Sequence, residues 1–390
     1  MISEKKIGDV FKVTSGGTPS RKKQEYYKNG TIPWVKTGDL KGKYANEPKE
    51  YITELALANS SAKIFPKNTV LLAMYGATIG ACSILKIAAA TNQACGAILP
   101  SEKCDHVYLY YYLKSINKEL ISKGVGGAQP NISGGIIKST KIPLPPLSQQ
   151  KKIAAILDAA DAYRQKTKAL IFKYDELTQS LFLNMFGDPF KGDVSPLKNN
   201  ISIVGGYAFK SNDFIKEGLP LIKIGTVNKG YFEIDNFSFL PKSYLSKYLK
   251  WNVKSGDILM SLTGTVGKDD YGNVEKATDH YENYLLNQRV AKLEPSNDVY
   301  LKDFLFGMFS NNKTKKELTK ISRGVRQANI SNRDIENLKM ITPSVENQKL
   351  YISAVASIEA QKAQAQASLA QAEDLFNSLL QRAFKGELTS

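Results

Sequence analysis

The chain has 390 residues, 42% of them hydrophobic, which is enough for two to four domains with buried cores, and it carries a formal net charge of +16. Three cysteines, Cys82, Cys95 and Cys104, form no C-x-x-C pair and leave an odd number for bridging, which argues against a disulfide scaffold and for a reducing compartment. The opening MISEKKIGDV has no signal-peptide core, and no apolar run approaches the roughly 20 residues that span a bilayer, so the expected location is cytoplasmic.

Along the chain, short runs of β-branched and aromatic residues bounded by Gly, Pro and Asn predict strands at 32–35 and 69–74. A helical piece follows at 107–117, with Tyr108, Tyr111 and Tyr112 as its apolar stripe. After Pro145-Pro146 a long helix begins, with Ile153, Ile156, Ala160, Tyr163, Thr167, Leu170, Tyr174, Leu177 and Leu181 spaced three and four apart, as in a coiled-coil seam. The sequence then repeats itself: strands at 201–204, 219–224 and 256–262, and a helical piece at 300–310 with Phe304, Leu305 and Met308. After Pro343 comes a second long helix, whose seam runs from Val355 through Ile358, Lys362, Ala365, Leu369, Ala372, Phe376 and Leu379 to Ala383. Proline fits both starts, because it sits near a helix N-terminus but not inside a helix. The predicted segments are a module at 1–147, a helix at 148–187, a module at 188–345, and a helix with a short tail at 346–390.

The two halves are copies. QPNISGGIIKSTKIPLPPLSQQ from Gln129 is answered by QANISNRDIENLKMITPSVENQ from Gln327, an offset of 198 that holds to Phe186/Phe384. Upstream the offset drifts: 189 between Gly16-Gly17 and Gly205-Gly206, 187 between Thr78-Ile79-Gly80 and Thr265-Val266-Gly267, and 195 between Asn92-Gln93 and Asn287-Gln288. A shared frame with variable loops places recognition in the loops. A helix of that length with one apolar seam needs a partner, and its duplicate in the same chain is the expected one, running antiparallel about a two-fold axis.

Charge sits on the modules. Residues 1–147 carry 20 basic against 10 acidic side chains and 188–345 carry 23 against 18, whereas the helical segments hold 6 against 4 and 4 against 5. Basic folded modules fit a polyanion, because each phosphate neutralised releases condensed counterions. Catalytic signatures are missing from the sequence. There are only two histidines, His106 and His280, in unlike settings, no phosphate-binding G-x-x-x-x-G-K-[ST] loop, no complete G-x-G-x-x-G and no Asn-Pro-Pro-Tyr/Phe motif, so no catalytic residue and no metal ligand is assigned.

The candidate reading residues are the repeated polar turns. Gln129 and Asn131 lie in GVGGAQPNIS, and Arg323, Arg326, Gln327 and Asn329 in SRGVRQANIS. Asn92 and Gln93 pair with Asn287, Gln288 and Arg289; Lys36 and Thr37 with Lys223 and Thr226; Thr78 with Thr265. Gln and Asn can bond adenine through two contacts and Arg can do so with guanine, while Gly lets backbone approach a groove.

The doubled module, the Asn-Ile-Ser turn followed by Pro145, Pro146, Gln149 and Gln150 or by Pro343 and Gln348, and the endings LFLNMFG and LLQRAFKGEL together resemble the specificity subunits of type I restriction-modification systems. That resemblance covers the whole chain. It implies an α+β fold of two tandem target-recognition domains, each followed by a long conserved helix, with the helices paired as an antiparallel coiled coil of pseudo-two-fold symmetry. It further implies that each domain reads half of a bipartite, asymmetric site in double-stranded DNA, and that the helix pair fixes the unread spacer and, with its Pro/Gln entries, docks two methyltransferase subunits. Those partners use S-adenosylmethionine, the chain itself binds no cofactor and is not an enzyme, and ATP-driven restriction subunits can join. The alternatives are a stand-alone or spare DNA-binding module, or an enzyme with an unrecognised active site.

Overall fold

The computed structural model describes residues 3–124, 131–268, 270–324 and 326–388. The chain packs as two compact units, Met1–Lys168 with Ala367–Ser390, and Ala169–Gln366. The division falls inside both long helices, so 148–187 and 346–390 are shared between units instead of standing as segments of their own.

In the first unit a five-stranded sheet is ordered Val13–Ser15, Cys95–Ile98, Val70–Ala73, Cys82–Leu85, Tyr44–Ala45, and a four-stranded sheet Glu50–Ile52, Ile32–Val35, Ala89–Thr91, Ile64–Phe65. Val70–Ala73 is apolar throughout because both its faces are covered. Val70 and Leu72 enter a core with the tyrosines of helix His106–Ser115, while Leu71 and Ala73 enter another with Val35 and Phe65. The second unit repeats the plan. Ile258–Ser261 sends Ile258 and Met260 to a core with Phe304 and Met308, and Leu259 to one with Ile222 and Val253. Both units contain a matching parallel pair, Trp34↔Ala90 and Val35↔Thr91 in the first and Leu221↔Leu285 and Ile222↔Leu286 in the second. The expected strands and helical pieces lie within two residues of their predicted ends, except that 223–224 leaves the strand to enter a short helix, Ile224–Val227. All three cysteines are free and buried, and burial pushes each thiol up to about 12. Among the described residues no helix is long and apolar enough to cross a membrane.

The long helices are Leu147–Phe186 and Val345–Lys385. Each is fastened to its head by one buried glutamine. Gln150 Oε1 accepts the Asp105 N–H at 2.9 Å, and its Nε2 donates to the carbonyls of Pro145 at 2.8 Å and Lys103 at 3.2 Å. Gln348 does the same with Leu301 N–H at 2.8 Å, Pro343 at 2.8 Å and Val299 at 2.7 Å. Both glutamines are fully buried. This withdraws Gln150 and Gln348 from the expected partner surface, because a side chain enclosed and bonded on every side has nothing left to offer outside.

Within the first unit, Ile153 and Leu157 of the first helix share a core with Phe376, Leu380 and Ala383 of the second. Gln149 lies in one groove with Phe384, Arg164 stacks on Phe376 at 4.4 Å, and Lys168 pairs with Glu373 at 2.7 Å. Early residues of one helix thus meet late residues of the other. Within the second unit Phe182 packs on Tyr351 at 5.6 Å between ring centres, and Asp175 pairs with Lys362 at 2.5 Å. The second-helix seam is buried or half-buried at all nine expected positions. The first is correct only at Ile153, Ala160, Thr167, Tyr174 and Leu181. Ile156, Tyr163, Leu170 and Leu177 are 38%, 54%, 42% and 47% exposed, and Leu157, Arg164, Ile171 and Thr178 point inward instead. Arg164 explains the miss, since a search for apolar letters rejects a guanidinium that in fact lies over the Phe376 ring.

Substituting either staple, Gln150→Leu or Gln348→Leu, orphans an N–H and two carbonyls at a helix entry. Each unsatisfied group costs roughly 1–3 kcal/mol, so chemical denaturation is expected to show about 3 kcal/mol or more of lost stability, against little change for exposed Gln361→Leu.

Candidate nucleic-acid interface

The parallel strand pairs place the first candidates. Lys36 and Asn92 follow the carboxyl ends of Ile32–Val35 and Ala89–Thr91, joined by the Asn92 N–H donating to Val35 O at 3.1 Å. Lys223 and Asn287 stand identically, the Asn287 N–H donating to Ile222 O at 3.0 Å. Glycine is required beside both strand ends: a Cβ on Gly16 would lie 2.0 Å from the Thr91 carbonyl oxygen, and one on Gly206 2.0 Å from that of Asn287. The structural equivalence is therefore Gly16 with Gly206, one residue off the sequence pairing.

A second relay draws the distant turns to the same place. Met74 N–H donates to Ala94 O at 2.8 Å and Met74 O accepts from Ile132 N–H at 2.7 Å. In the second head Leu262 N–H donates to Arg289 O at 3.0 Å and Leu262 O accepts from Ile330 N–H at 2.8 Å. One backbone residue thus holds the Asn/Gln turn on one side and the Asn-Ile-Ser turn on the other, which is why two motifs some 40 residues apart in sequence recur together.

In the second head the assembly is explicit. Thr263–Thr265 pairs antiparallel with Gln327–Asn329, setting Thr265 opposite Gln327 and Thr263 opposite Asn329. Arg323 and Asn329 exchange two backbone hydrogen bonds of 2.9 Å. Gln288, Arg289, Arg323, Gln327 and Asn329, together with Thr263 and Gly324, line a cleft of about 550 Å³. Arg326 is exposed nearby in sequence, outside that lining. In the first head Asn131 and Gln93 are exposed, Thr18 donates to Gln93 Oε1, and Thr37 and Thr78 are half-buried. Gln129 lies outside the described residues.

Two candidates are occupied by other tasks. Thr226 is buried, and its hydroxyl accepts the Lys223 N–H at 3.3 Å, so it shapes the turn and does not face solvent. Thr265 is exposed but committed to Asp270, donating to it from the hydroxyl at 3.0 Å and from the N–H at 2.8 Å. The lysines diverge as well. Lys36 is ion-paired with Glu50, which also takes Arg21 at 2.6 Å. Burial pushes the Glu50 carboxyl up, but Lys36 and Arg21 outweigh it and hold the group below its ordinary value. At the matching position in the second head stands Ser238, which accepts from Lys223 Nζ at 2.7 Å, leaving that charge uncompensated by any described carboxylate.

The sequence reading passed over Thr263, two residues before a chosen threonine, and Asp334, which Ser331-x-x-Asp334 marks as a capping box. It also passed over Tyr207, which directly follows the duplicated glycines and packs on Phe209, Tyr248 and Trp251 with ring centres 4.8–4.9 Å away. Amides and guanidinium groups around an open cleft supply directional donors and acceptors. Among the described residues no group of His, Cys, Asp and Glu is arranged to hold a metal ion.

Comparison with known proteins agrees with this plan. The family profile "Type I restriction modification DNA specificity domain" matches twice, over residues 2–171 and 192–371. The MjaVIII specificity subunit of Methanocaldococcus jannaschii is 29% identical over 372 residues, covering 91% of this chain and 85% of that protein. The EcoR124I/EcoR124II specificity subunit of Escherichia coli is 32% identical over 165 residues, 41% of each chain. Among solved structures, a chain from a study of assembly and conformational transition in a type I R-M system superposes with a TM-score of 0.64 at 18% identity, covering 99% of this chain and 98% of that one. The S subunit from M. genitalium gives 0.54 at 16%, covering 98% and 96%. The chain belongs to the family of type I restriction-modification specificity subunits, the DNA-recognition and not the catalytic components of those systems.

Proposed function

We propose that each head of this chain reads one half of a bipartite, asymmetric site in double-stranded DNA. The observation that carries the reading is the paired relay at Met74 and Leu262, which presents two polar turns on the same backbone frame in both heads while the side chains on the turns differ. Equal frames with unlike residues yield two readers of unlike sequence. Lys36, Thr37, Thr78, Asn92, Gln93, Gln129 and Asn131 belong to one reading surface. Lys223, Asn287, Gln288, Arg289, Arg323, Arg326, Gln327 and Asn329 belong to the other, with Thr226 and Thr265 shaping its turns.

In this reading the long helices pair as an antiparallel coiled coil related by a pseudo-two-fold axis and set the unread spacer. The opposed order of contacts within each unit supports this. The chain works in the cytoplasm, binds no cofactor of its own, and docks two methyltransferase subunits that bring S-adenosylmethionine; ATP-dependent restriction subunits can join them. The exposed residues Ile156, Tyr163, Leu170 and Leu177 recur every seven positions along one flank of the seam, where the Tyr163 hydroxyl also meets Ser368 of the second helix, and supply the apolar surface for the methyltransferase.

The central test combines the purified chain with methyltransferase subunits, S-adenosylmethionine and host DNA. Methylation at one bipartite sequence is expected from the mixture and none from either part alone; transfer by the isolated chain would overturn the assignment. Its affinity for DNA is expected to fall steeply with salt. Leu170→Glu is expected to weaken assembly with the methyltransferase about tenfold or more, read by sedimentation, with the thermal midpoint unchanged. One heptad added to each long helix, after Lys168 and after Gln366, lengthens the rod by about 10 Å. Methylome sequencing should then show a spacer longer by about three base pairs, at 3.4 Å per pair along a strand; an unchanged spacer refutes the ruler.

A further inference from the structure

Resting on the assignment of the heads to DNA, we propose that Arg323 reads a guanine in the half-site taken by the second head, and that Asp334 is its positioning residue. Arg323 lines the cleft with Gln288, Arg289, Gln327 and Asn329, and its side chain is 81% exposed. An exposed arginine ordinarily samples many rotamers, but this one is fixed at both ends. Its backbone exchanges two hydrogen bonds with Asn329, and its Nη2 donates to Asp334 Oδ1 at 2.9 Å. Asp334 is anchored in turn, because its Oδ2 accepts from the Ser331 N–H at 3.0 Å and the Ser331 hydroxyl at 2.7 Å, while Ser331 caps helix Asn332–Glu336. Burial pushes the Asp334 carboxyl up, yet the Ser331 hydrogen bonds and the Arg323 charge outweigh it and hold it below its ordinary value, so it is ionised at neutral pH.

The carboxylate decides what the arginine is suited to. A partner of opposite charge cancels much of the guanidinium's long-range pull on phosphate but leaves the remaining N–H donors pointing in set directions. Such a group is a poor general anchor for the DNA backbone and a good reader of a fixed pair of acceptors. Guanine alone presents two acceptors side by side, O6 and N7, on its major-groove edge. Gly324, at φ +124°, turns the chain where a Cβ would lie 1.9 Å from Gln327 O, and so keeps the Arg323 turn tight against the strand that carries Gln327 and Asn329.

The sequence of the first head does not repeat this arginine and acid. At the offset of 198, Asp334 corresponds to Ile136, and there Ser133 accepts the Ile136 N–H with no acid returning the contact. Arg323 corresponds to Val125 in the sequence. An arginine with its carboxylate in one head, against Val125 and Ile136 at the matching sequence positions of the other, makes the two half-sites chemically unequal at this position.

The test measures binding of the full chain with its methyltransferase subunits to duplexes carrying the site found by methylome sequencing. Each guanine is replaced in turn by 7-deazaguanine, which lacks the N7 acceptor. The wild type is expected to lose about tenfold or more at one guanine, and Arg323→Lys, which keeps the charge but not the fork, to lose that sensitivity. Asp334→Asn should reduce the same sensitivity while the slope of affinity against salt becomes no shallower, since it removes a carboxylate and no phosphate contact. Unchanged sensitivity in Arg323→Lys overturns the proposal. So does, in Arg323→Ala, a uniform weakening of all sequences with a salt slope smaller by about one, which marks a phosphate contact. A wild type with no site preference removes the reading of the heads and this proposal with it, a result distinct from the other two.

Discussion

The first unit of this protein is not complete in the stretch of sequence that starts it. The first unit's core needs Phe376, Leu380 and Ala383 from near the far end of the chain, whereas the second, a continuous stretch, takes Phe182 and Tyr351 into its core from the parts of the two long helices that lie within it. Burying a Phe or Leu contributes roughly 1.5–3 kcal/mol each, so the returning segment supplies about 5 kcal/mol to the first unit. That is comparable to the whole net stability of an ordinary domain, about 5–15 kcal/mol. The long helices are consequently parts of both folding units, and a change on their buried faces is felt in the heads.

The glutamine staples show how such a helix can be rigidly attached. A helix start leaves backbone groups without partners, and so does a loop that meets it. Gln150 and Gln348 satisfy one donor and two acceptors at that junction in the same geometry, 198 residues apart. A buried amide with three bonds fixes orientation more strictly than apolar packing alone, because every alternative register leaves polar groups unpaired. The direction in which each helix departs from its head is thereby specified by polar chemistry, while the strength of the attachment comes from the aromatic core around Tyr108 and Phe304.

Legibility in the sequence follows the kind of interaction. The strands and both long helices were readable, because burial on one or both faces writes a period into apolar letters. The duplication was readable because the frame must be kept for Gly16, Gly206 and the staples to fit. What escaped depends on a polar side chain behaving against type. Arg164 occupies a seam position by stacking on Phe376, which shifts half of the first seam by one residue. Thr226 looks like a reading residue by its place in the repeat, yet its hydroxyl is enclosed in a cap. Asp334 was visible as a capping residue, but its second oxygen, the one that holds Arg323, depends on a contact eleven residues back that no local pattern encodes.

The same distinction limits what net charge can say. Composition counted Lys36 and Lys223 alike, and both follow a parallel strand beside a paired asparagine. Their surroundings make them different: Glu50 and Arg21 form a closed cluster with the first, whereas Ser238 gives the second a neutral partner. A charge already matched by a carboxylate adds little attraction toward phosphate, and a charge held by a hydroxyl retains nearly all of it. The heads therefore differ in the charge they can offer a phosphate at this position, because the duplicated frame constrains the strand ends and leaves the partner across from each lysine free to vary.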